Sequence, residues 1–161
     1  MGQKLKQCKW IFCDVDGVLT DGKMIYSENG DEIKQFHVRD GIAASLIREK
    51  GFRLGIMSAG NAEQAITKRF TRLGFEYISV KNRLKEERFQ EFLDEFNVIA
   101  SEVAYIGDDI NDIKIMKRCG VAICPSDAHH SVIEFADWVL KSKGGEGCLR
   151  EVSDHLNQLK S

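Results

Sequence analysis

Four apolar residues, Trp10-Ile11-Phe12-Cys13, run directly into Asp14-Val15-Asp16-Gly17-Val18-Leu19-Thr20 near the start of the chain. An unbroken apolar run of that length suits a strand covered on both faces, the habit of parallel sheets held between helix layers. Such sheets bind ligands at the C-terminal ends of their strands. The carboxylates of Asp14 and Asp16 therefore fall on the edge where chemistry is done. There a carboxylate can serve as nucleophile, general acid or metal ligand.

The rest of the chain repeats a β-then-α pattern. Asn29-Gly30, set between Met24-Ile25-Tyr26 and Ile33-Lys34-Gln35-Phe36, predicts a β-hairpin inserted after the first strand. Asp40 is the expected cap of a helix that turns Ile42, Ala43, Leu46 and Ile47 inward and stops at Gly51. Further strands are expected at 54–58, 77–80, 103–106, 121–123 and 138–140. Helices are expected to open at Asn61, to span 84–96 with Phe89, Phe92, Leu93 and Phe96 inward, and to cover 111–119 and 128–135. A last amphipathic helix carries Leu149, Val152, Leu156 and Leu159. The alternation predicts an α/β, doubly wound (Rossmann-like), mostly parallel sheet with helices on both faces, in one domain over residues 1–161. The residues from Asp16 to Ser58 hold one hairpin and one helix, and those from Lys85 to Asp108 one helix and one strand. Neither gap has room for a separate cap domain.

Charge and cysteine usage narrow the function. A formal net charge of -2 offers no basic field to nucleic acid or to an anionic membrane. No run approaches the ~20 apolar residues of a membrane span. Met1-Gly2-Gln3-Lys4-Leu5-Lys6 lacks the apolar core of a secretory signal, and Lys6 stands where a myristoylation motif needs Ser or Thr. Cys8, Cys13, Cys119, Cys124 and Cys148 form no CxxC pair and pair with no histidine at zinc-ligand spacing. They are expected to be free thiols of a cytoplasmic protein.

Polar groups collect behind the predicted strands. Asp14 and Asp16 follow the first, Ser58 closes the next, and Asp108 and Asp109 follow the strand at 103–106. Asp112 lies one helical turn further on, and Lys85 sits near a helix start. Carboxylates gathered this closely repel and call for a cation, and hard oxygen donors favour Mg²⁺. A magnesium ion, a lysine, a hydroxyl and helix N-terminal amides together suit a phosphoryl group. A carboxylate can carry phosphoryl transfer in two steps through an aspartyl-phosphate.

In this order the residues resemble the four motifs of the haloacid dehalogenase superfamily: Asp14-Val15-Asp16-Gly17-Val18, then Ser58, then Lys85, then Gly107-Asp108-Asp109 with Asp112. The resemblance implies that Asp14 is the nucleophile and a magnesium ligand. It implies that Asp16 is the general acid/base, with its backbone carbonyl on the metal, and that Asp108 is a further direct ligand. Asp109 or Asp112 would support the metal from behind, and Ser58 and Lys85 would hold the phosphoryl oxygens. Within the superfamily, Asp16 to Gly22, the hairpin, Phe36-His37-Val38-Arg39-Asp40-Gly41 and Gly144 to Glu151 resemble the cap-less branch. That branch hydrolyses 3-deoxy-D-manno-octulosonate 8-phosphate in lipopolysaccharide synthesis.

The same resemblance implies a homotetramer with assembled hairpins and shared active sites. Thr20, Arg39 and Arg150 would then meet the sugar-acid carboxylate or line the site. Gly144-Gly145-Glu146-Gly147 reads as part of the branch's signature or as a flexible segment. Ser58-Ala59-Gly60-Asn61 departs from the branch, which follows Thr-Gly with a basic residue. The departure keeps nine-carbon (KDN or acylneuraminate) 9-phosphates as an alternative substrate. Two readings come from other classes. A phospho-receiver domain needs an aspartate at the end of a middle strand, which 77–80 lacks. A non-catalytic oligomerisation module has no use for clustered carboxylates.

Overall fold

The computed structural model describes residues 2–159; residues 1, 160 and 161, the ends of the expected 1–161 domain, lie outside the described residues. The elements run α1 (Gly2–Gln7), β1 (Trp10–Cys13), β2 (Ile25–Tyr26), β3 (Glu32–Ile33), α2 (Val38–Glu49), β4 (Arg53–Ser58), α3 (Glu63–Arg72), β5 (Tyr77–Val80) and α4 (Lys85–Phe96). After a 3₁₀ turn at Ala100–Glu102 come β6 (Val103–Ile106), α5 (Ile113–Met116), β7 (Val121–Cys124), α6 (His130–Ile133), β8 (Trp138–Val139) and α7 (Cys148–Gln158).

Six strands form one sheet in the order β5-β4-β1-β6-β7-β8, every pair parallel. The antiparallel pairing belongs to the separate β2-β3 hairpin, where Ile25 faces Ile33 and Tyr26 faces Glu32. The sheet is thus the doubly wound α/β arrangement with the expected hairpin insertion. Between Asp16 and Ser58 the structure has this hairpin, α2 and β4, and no cap domain.

β1 explains why an unbroken apolar run is needed. Its side chains alternate between two buried layers. Ile11 and Cys13 enter one, with Leu5, Ala43, Ile47, Val152 and Leu156 from α1, α2 and α7. Trp10 and Phe12 enter the other, with Phe89 and Phe92 of α4, Ile115 and Val132. The Phe12 and Phe92 rings lie 4.6 Å apart, edge to face. Fully burying each large apolar side chain contributes roughly 1.5–3 kcal/mol. The burial anchors β1 at the centre of the sheet, between β4 and β6, where the direction of winding reverses. Crevices for ligands open at that point.

Several boundaries differ from expectation for local reasons. The cap of α2 is His37, whose Nδ1 accepts from the Arg39 amide at 3.2 Å. Asp40 is instead buried in the first turn, and its Oδ1 accepts from the Arg150 amide at 3.0 Å. It serves the start of α7, whose own cap, Gly147, has no side chain to offer. α3 begins at Glu63; Asn61 contributes its carbonyl, which accepts from the Glu63 amide at 2.9 Å. α5 and α6 are shorter than expected because their flanks are taken up by turns such as Asp112 N–H to Asp109 O, 2.9 Å. α1 was not foreseen; it is one short turn and a half with Leu5 as its buried residue. The five cysteines are free. Among the described residues no helix is long and apolar enough to cross a membrane.

Candidate active site

Asp14, Asp16, Gly17, Gly22, Ser58, Ala59, Gly60, Asp108, Asp109 and Asn111 line an open cavity of about 270 Å³. It lies at the C-terminal ends of β1, β4 and β6. Roomier hollows exist, one of about 830 Å³ between the hairpin and α3 and one of about 420 Å³ beside Lys6, Lys50 and Leu156. Chemistry rather than volume marks the smaller one.

Asp14 is anchored by its backbone amide, which donates to Ile106 O at 2.9 Å, and its Oδ1 accepts from the Val15 amide at 2.6 Å. Its Oδ2 pairs with Lys85 Nζ. Lys85 comes from the first turn of α4, is 4% exposed, and also pairs with Asp112 Oδ1 at 2.8 Å. Asp112 is fully buried. The Tyr105 hydroxyl donates to its Oδ1 at 2.8 Å, and the Asp108 amide to its Oδ2 at 3.2 Å.

Oxygens of Asp14, Asp108 and Asp112 lie within 4.8 Å of one another. One ammonium cannot balance three carboxylates. Burial, then the Asp112 charge, raise Asp14 to about 7 in spite of Lys85. Burial, then the Asp14 and Asp112 charges, raise Asp108 to about 8. Asp108 Oδ1 is buried without a hydrogen-bond partner. Gly17, at φ +83°, leaves the room: a Cβ there would lie 1.9 Å from Asp108 Oδ2. Hard oxygens, excess negative charge and an unclaimed buried acceptor fit a small divalent cation.

Each Asp14 oxygen has one donor and Asp108 Oδ1 has none, whereas each Asp112 oxygen already accepts from two donors. Asp112 therefore stands behind the cluster and orients Lys85 and the Asp108 amide. Asp109 is exposed, with its Oδ1 accepting from the next amide, Ile110, at 2.7 Å. Asp112 is thus the better placed of the two supporting acids.

Asp16 has a partner that sequence reasoning missed. Lys34, one residue beyond β3, has a side chain only 1% exposed, and its Nζ lies 2.5 Å from Asp16 Oδ1 and 2.5 Å from Glu32 Oε1. Burial pulls its pKa down, but the two carboxylates more than offset this and leave it raised. A lysine in a short hairpin reads as solvent-facing. The available signal was Glu32 two residues away, on the same face of the strand.

Ser58, buried at the end of β4, accepts on Oγ from the Gly60 amide at 3.1 Å. A Cβ at Gly60 would sit 2.9 Å from Asp16 Oδ2 and 3.4 Å from Ser58 Oγ, so both groups approach the same point. Thr20 is buried and braces the loop, its hydroxyl 3.3 Å from Asp16 Oδ1 and accepting from the Gly22 amide at 3.2 Å. The Gly144–Gly147 segment packs on the loop that follows β1. The Gly145 amide donates to Val18 O at 3.0 Å, and a Cβ at Gly144 would lie 2.2 Å from Gly17 O. The segment lies against the Gly17–Asp21 stretch of that loop. Arg39 is exposed on α2, and Arg150 pairs with Asp154 on α7 at 2.8 Å; neither lines the cavity.

A family model described as haloacid dehalogenase-like hydrolase matches residues 55–151. The chain is 36% identical over 158 residues to the 3-deoxy-D-manno-octulosonate 8-phosphate phosphatase KdsC of Haemophilus influenzae, covering 98% of this chain and 87% of that one. To KdsC of Escherichia coli K12 it is 33% identical over 153 residues, covering 95% and 81%. The solved phosphatase of that name from Moraxella catarrhalis, in complex with a magnesium ion, a phosphate ion and a KDO molecule, superimposes with a TM-score of 0.90. It is 29% identical and covers 96% of this chain and 88% of that one. The Yersinia pestis structure of the same phosphatase gives a TM-score of 0.89 at 31% identity, covering 96% and 83%.

Proposed function

This chain belongs to the haloacid dehalogenase-like hydrolases, and on that premise we propose that it hydrolyses 3-deoxy-D-manno-octulosonate 8-phosphate to 3-deoxy-D-manno-octulosonate and phosphate. The supporting observation is the meeting of Asp14, Asp108, Asp112 and Lys85 in one buried cluster, at the strand ends where Asp16 and Ser58 also open. Asp14 is the nucleophile. The Val15 amide and Lys85 hold its two oxygens, which fixes the carboxylate for attack. Asp14 attacks the phosphorus, and as the phosphorus–oxygen ester bond breaks, protonated Asp16 gives its proton to the sugar oxygen, which departs as a hydroxyl. Asp16 then takes a proton from water, which attacks the phosphorus of the aspartyl-phosphate and releases phosphate and Asp14. Lys34 holds the Asp16 carboxylate in place for both transfers.

Mg²⁺ is the metal of this reading; Asp14, Asp108 and the Asp16 backbone carbonyl would hold it. When bound it neutralises the carboxylates and the phosphoryl charge. Ser58 Oγ and Lys85 hold phosphoryl oxygens. The proposal extends to a single phosphatase domain over 1–161, in the cytoplasm, serving lipopolysaccharide synthesis. It also extends to a homotetramer. The exposed apolar residues of the hairpin, Met24, Ile25, Tyr26 and Ile33, support that assembly. In it Arg39 and Arg150 would reach a substrate carboxylate in a site shared between subunits.

The test is phosphate release by purified protein from eight- and nine-carbon ulosonate phosphates, with Mg²⁺ and with EDTA. Release is expected from the eight-carbon 8-phosphate and is expected to cease in EDTA. No release from any of them with magnesium present refutes the enzyme reading, and preference for a nine-carbon 9-phosphate refutes the substrate.

A further inference from the structure

Arg88 follows Lys85 by one turn of α4 and is 1% exposed, yet the site described above gives it no task. Its Nη1 donates to Ser58 O at 3.0 Å, to Ser79 O at 3.1 Å and to Ser79 Oγ at 3.0 Å. All three acceptors are neutral. Its Nε and Nη2 are buried without partners. A guanidinium stays charged in proteins, and burying one among dipoles alone is costly. Replacing a buried charge by an apolar side chain of similar volume is often neutral or stabilising.

The three hydrogen bonds have a shared direction. They tie the last residue of β4 to β5, and Ser58 is the residue whose hydroxyl and following turn open into the catalytic cavity. Burial pulls the Arg88 pKa down while Tyr105, Tyr77 and Asp14 act the other way, so the guanidinium feels the Asp14 carboxylate.

We infer that Arg88 is a positioning residue for phosphoryl binding. It fixes the Ser58 carbonyl, and with it the Ser58-Ala59-Gly60 turn, and its uncompensated charge favours an incoming phosphoryl dianion. The inference rests on the phosphatase reading. The test compares wild type, Arg88→Met and Arg88→Lys by calorimetric titration of inorganic phosphate with Mg²⁺ present, beside kcat, KM and thermal melting. Misplacing a binding turn by about an ångström costs up to about a hundredfold. Arg88→Met is therefore expected to weaken phosphate binding at least about tenfold, with a raised KM and a lowered kcat. Arg88→Lys keeps the charge on a shorter side chain that lacks the rigid planar fork, and it is expected to recover part of the affinity.

Unchanged phosphate affinity in Arg88→Met overturns the inference. So does equal impairment of the two variants, which marks a packing role. Should Arg88→Met fail to fold, Arg88→Lys decides alone: a lower melting temperature with wild-type phosphate affinity overturns the inference. Wild-type protein that binds no phosphate with Mg²⁺ overturns it too. Wild-type protein that binds phosphate but cleaves no ulosonate phosphate contradicts the proposed substrate only, and the Arg88 comparison still stands.

Discussion

The carboxylate cluster ties stability to pH in a direction opposite to an ordinary salt-bridged acid. Asp14 titrates at about 7 and Asp108 at about 8 in the folded chain, against an ordinary carboxylate value of 3.8. In EDTA, between about pH 5.5 and 8.5, the unfolded chain has already lost both protons while the folded chain still holds them at the lower end. The native state binds more protons, so stability falls as pH rises. Over the interval from about pH 5.5 to 7, Asp14 alone costs roughly 2 kcal/mol at about 1.4 kcal/mol per pH unit. Asp108 extends the decline towards pH 8. The carboxyls whose pKa values are lowered, such as Asp137 and Glu151, have finished titrating below this window.

For a chain of this size about 2 kcal/mol corresponds to a fall in Tm of roughly 4–8 °C. Mg²⁺ binds the ionised pair and so stabilises more at high pH than at low; at a hundred times Kd the gain is about 2.7 kcal/mol. Scanning calorimetry over this pH range, with EDTA and with Mg²⁺, reads both slopes. Asp108→Asn should flatten the slope in EDTA. A Tm in EDTA that is constant or climbs across the window, or a magnesium shift equal at both ends, refutes the reasoning.

Two further outcomes follow from the packing. Lys85→Met strands Asp14 and Asp112 without their cation; breaking a buried pair from one side costs about 3–5 kcal/mol. Urea unfolding should show a loss of about 3 kcal/mol because Asp14 can protonate instead, and unchanged stability would contradict the role given to Lys85. Tyr26→Asp places a charge on the apolar hairpin, where Tyr26 is 57% exposed. Light scattering at micromolar concentration should show a smaller assembly than wild type with the monomer fold intact, and an unaltered mass would remove the hairpin from the interface.

Much of the site was legible because its groups sit next to strong local signals. Trp10 to Cys13 suited a strand covered on both faces, and its end carried Asp14 and Asp16 to the ligand edge. Asp108 and Asp112 followed in the same way from Val103–Ile106. Lys85 was legible through its place in the order of motifs rather than through its neighbours, which are charged. Other features depended on distant backbone. Asp40 caps a helix that begins more than a hundred positions later, and periodicity reports which face is buried, not which far helix end lacks an acceptor. Lys34 reaches Asp16 because the hairpin folds back over the loop. Arg88 stands among charged neighbours in the sequence, and its burial is decided by the ends of β4 and β5. The short turns α1, α5 and α6 carry too few residues for a period to emerge.

The most direct measurement of the central claim is turnover by Asp14→Asn on the substrate that wild type hydrolyses, with far-ultraviolet circular dichroism beside it. The amide is nearly the same size, keeps the site's shape and cannot carry a phosphoryl group through an acyl-phosphate. Phosphate release should fall below detection, roughly 10⁴-fold or more, while the spectrum stays native. Wild-type release by the folded variant would contradict the account.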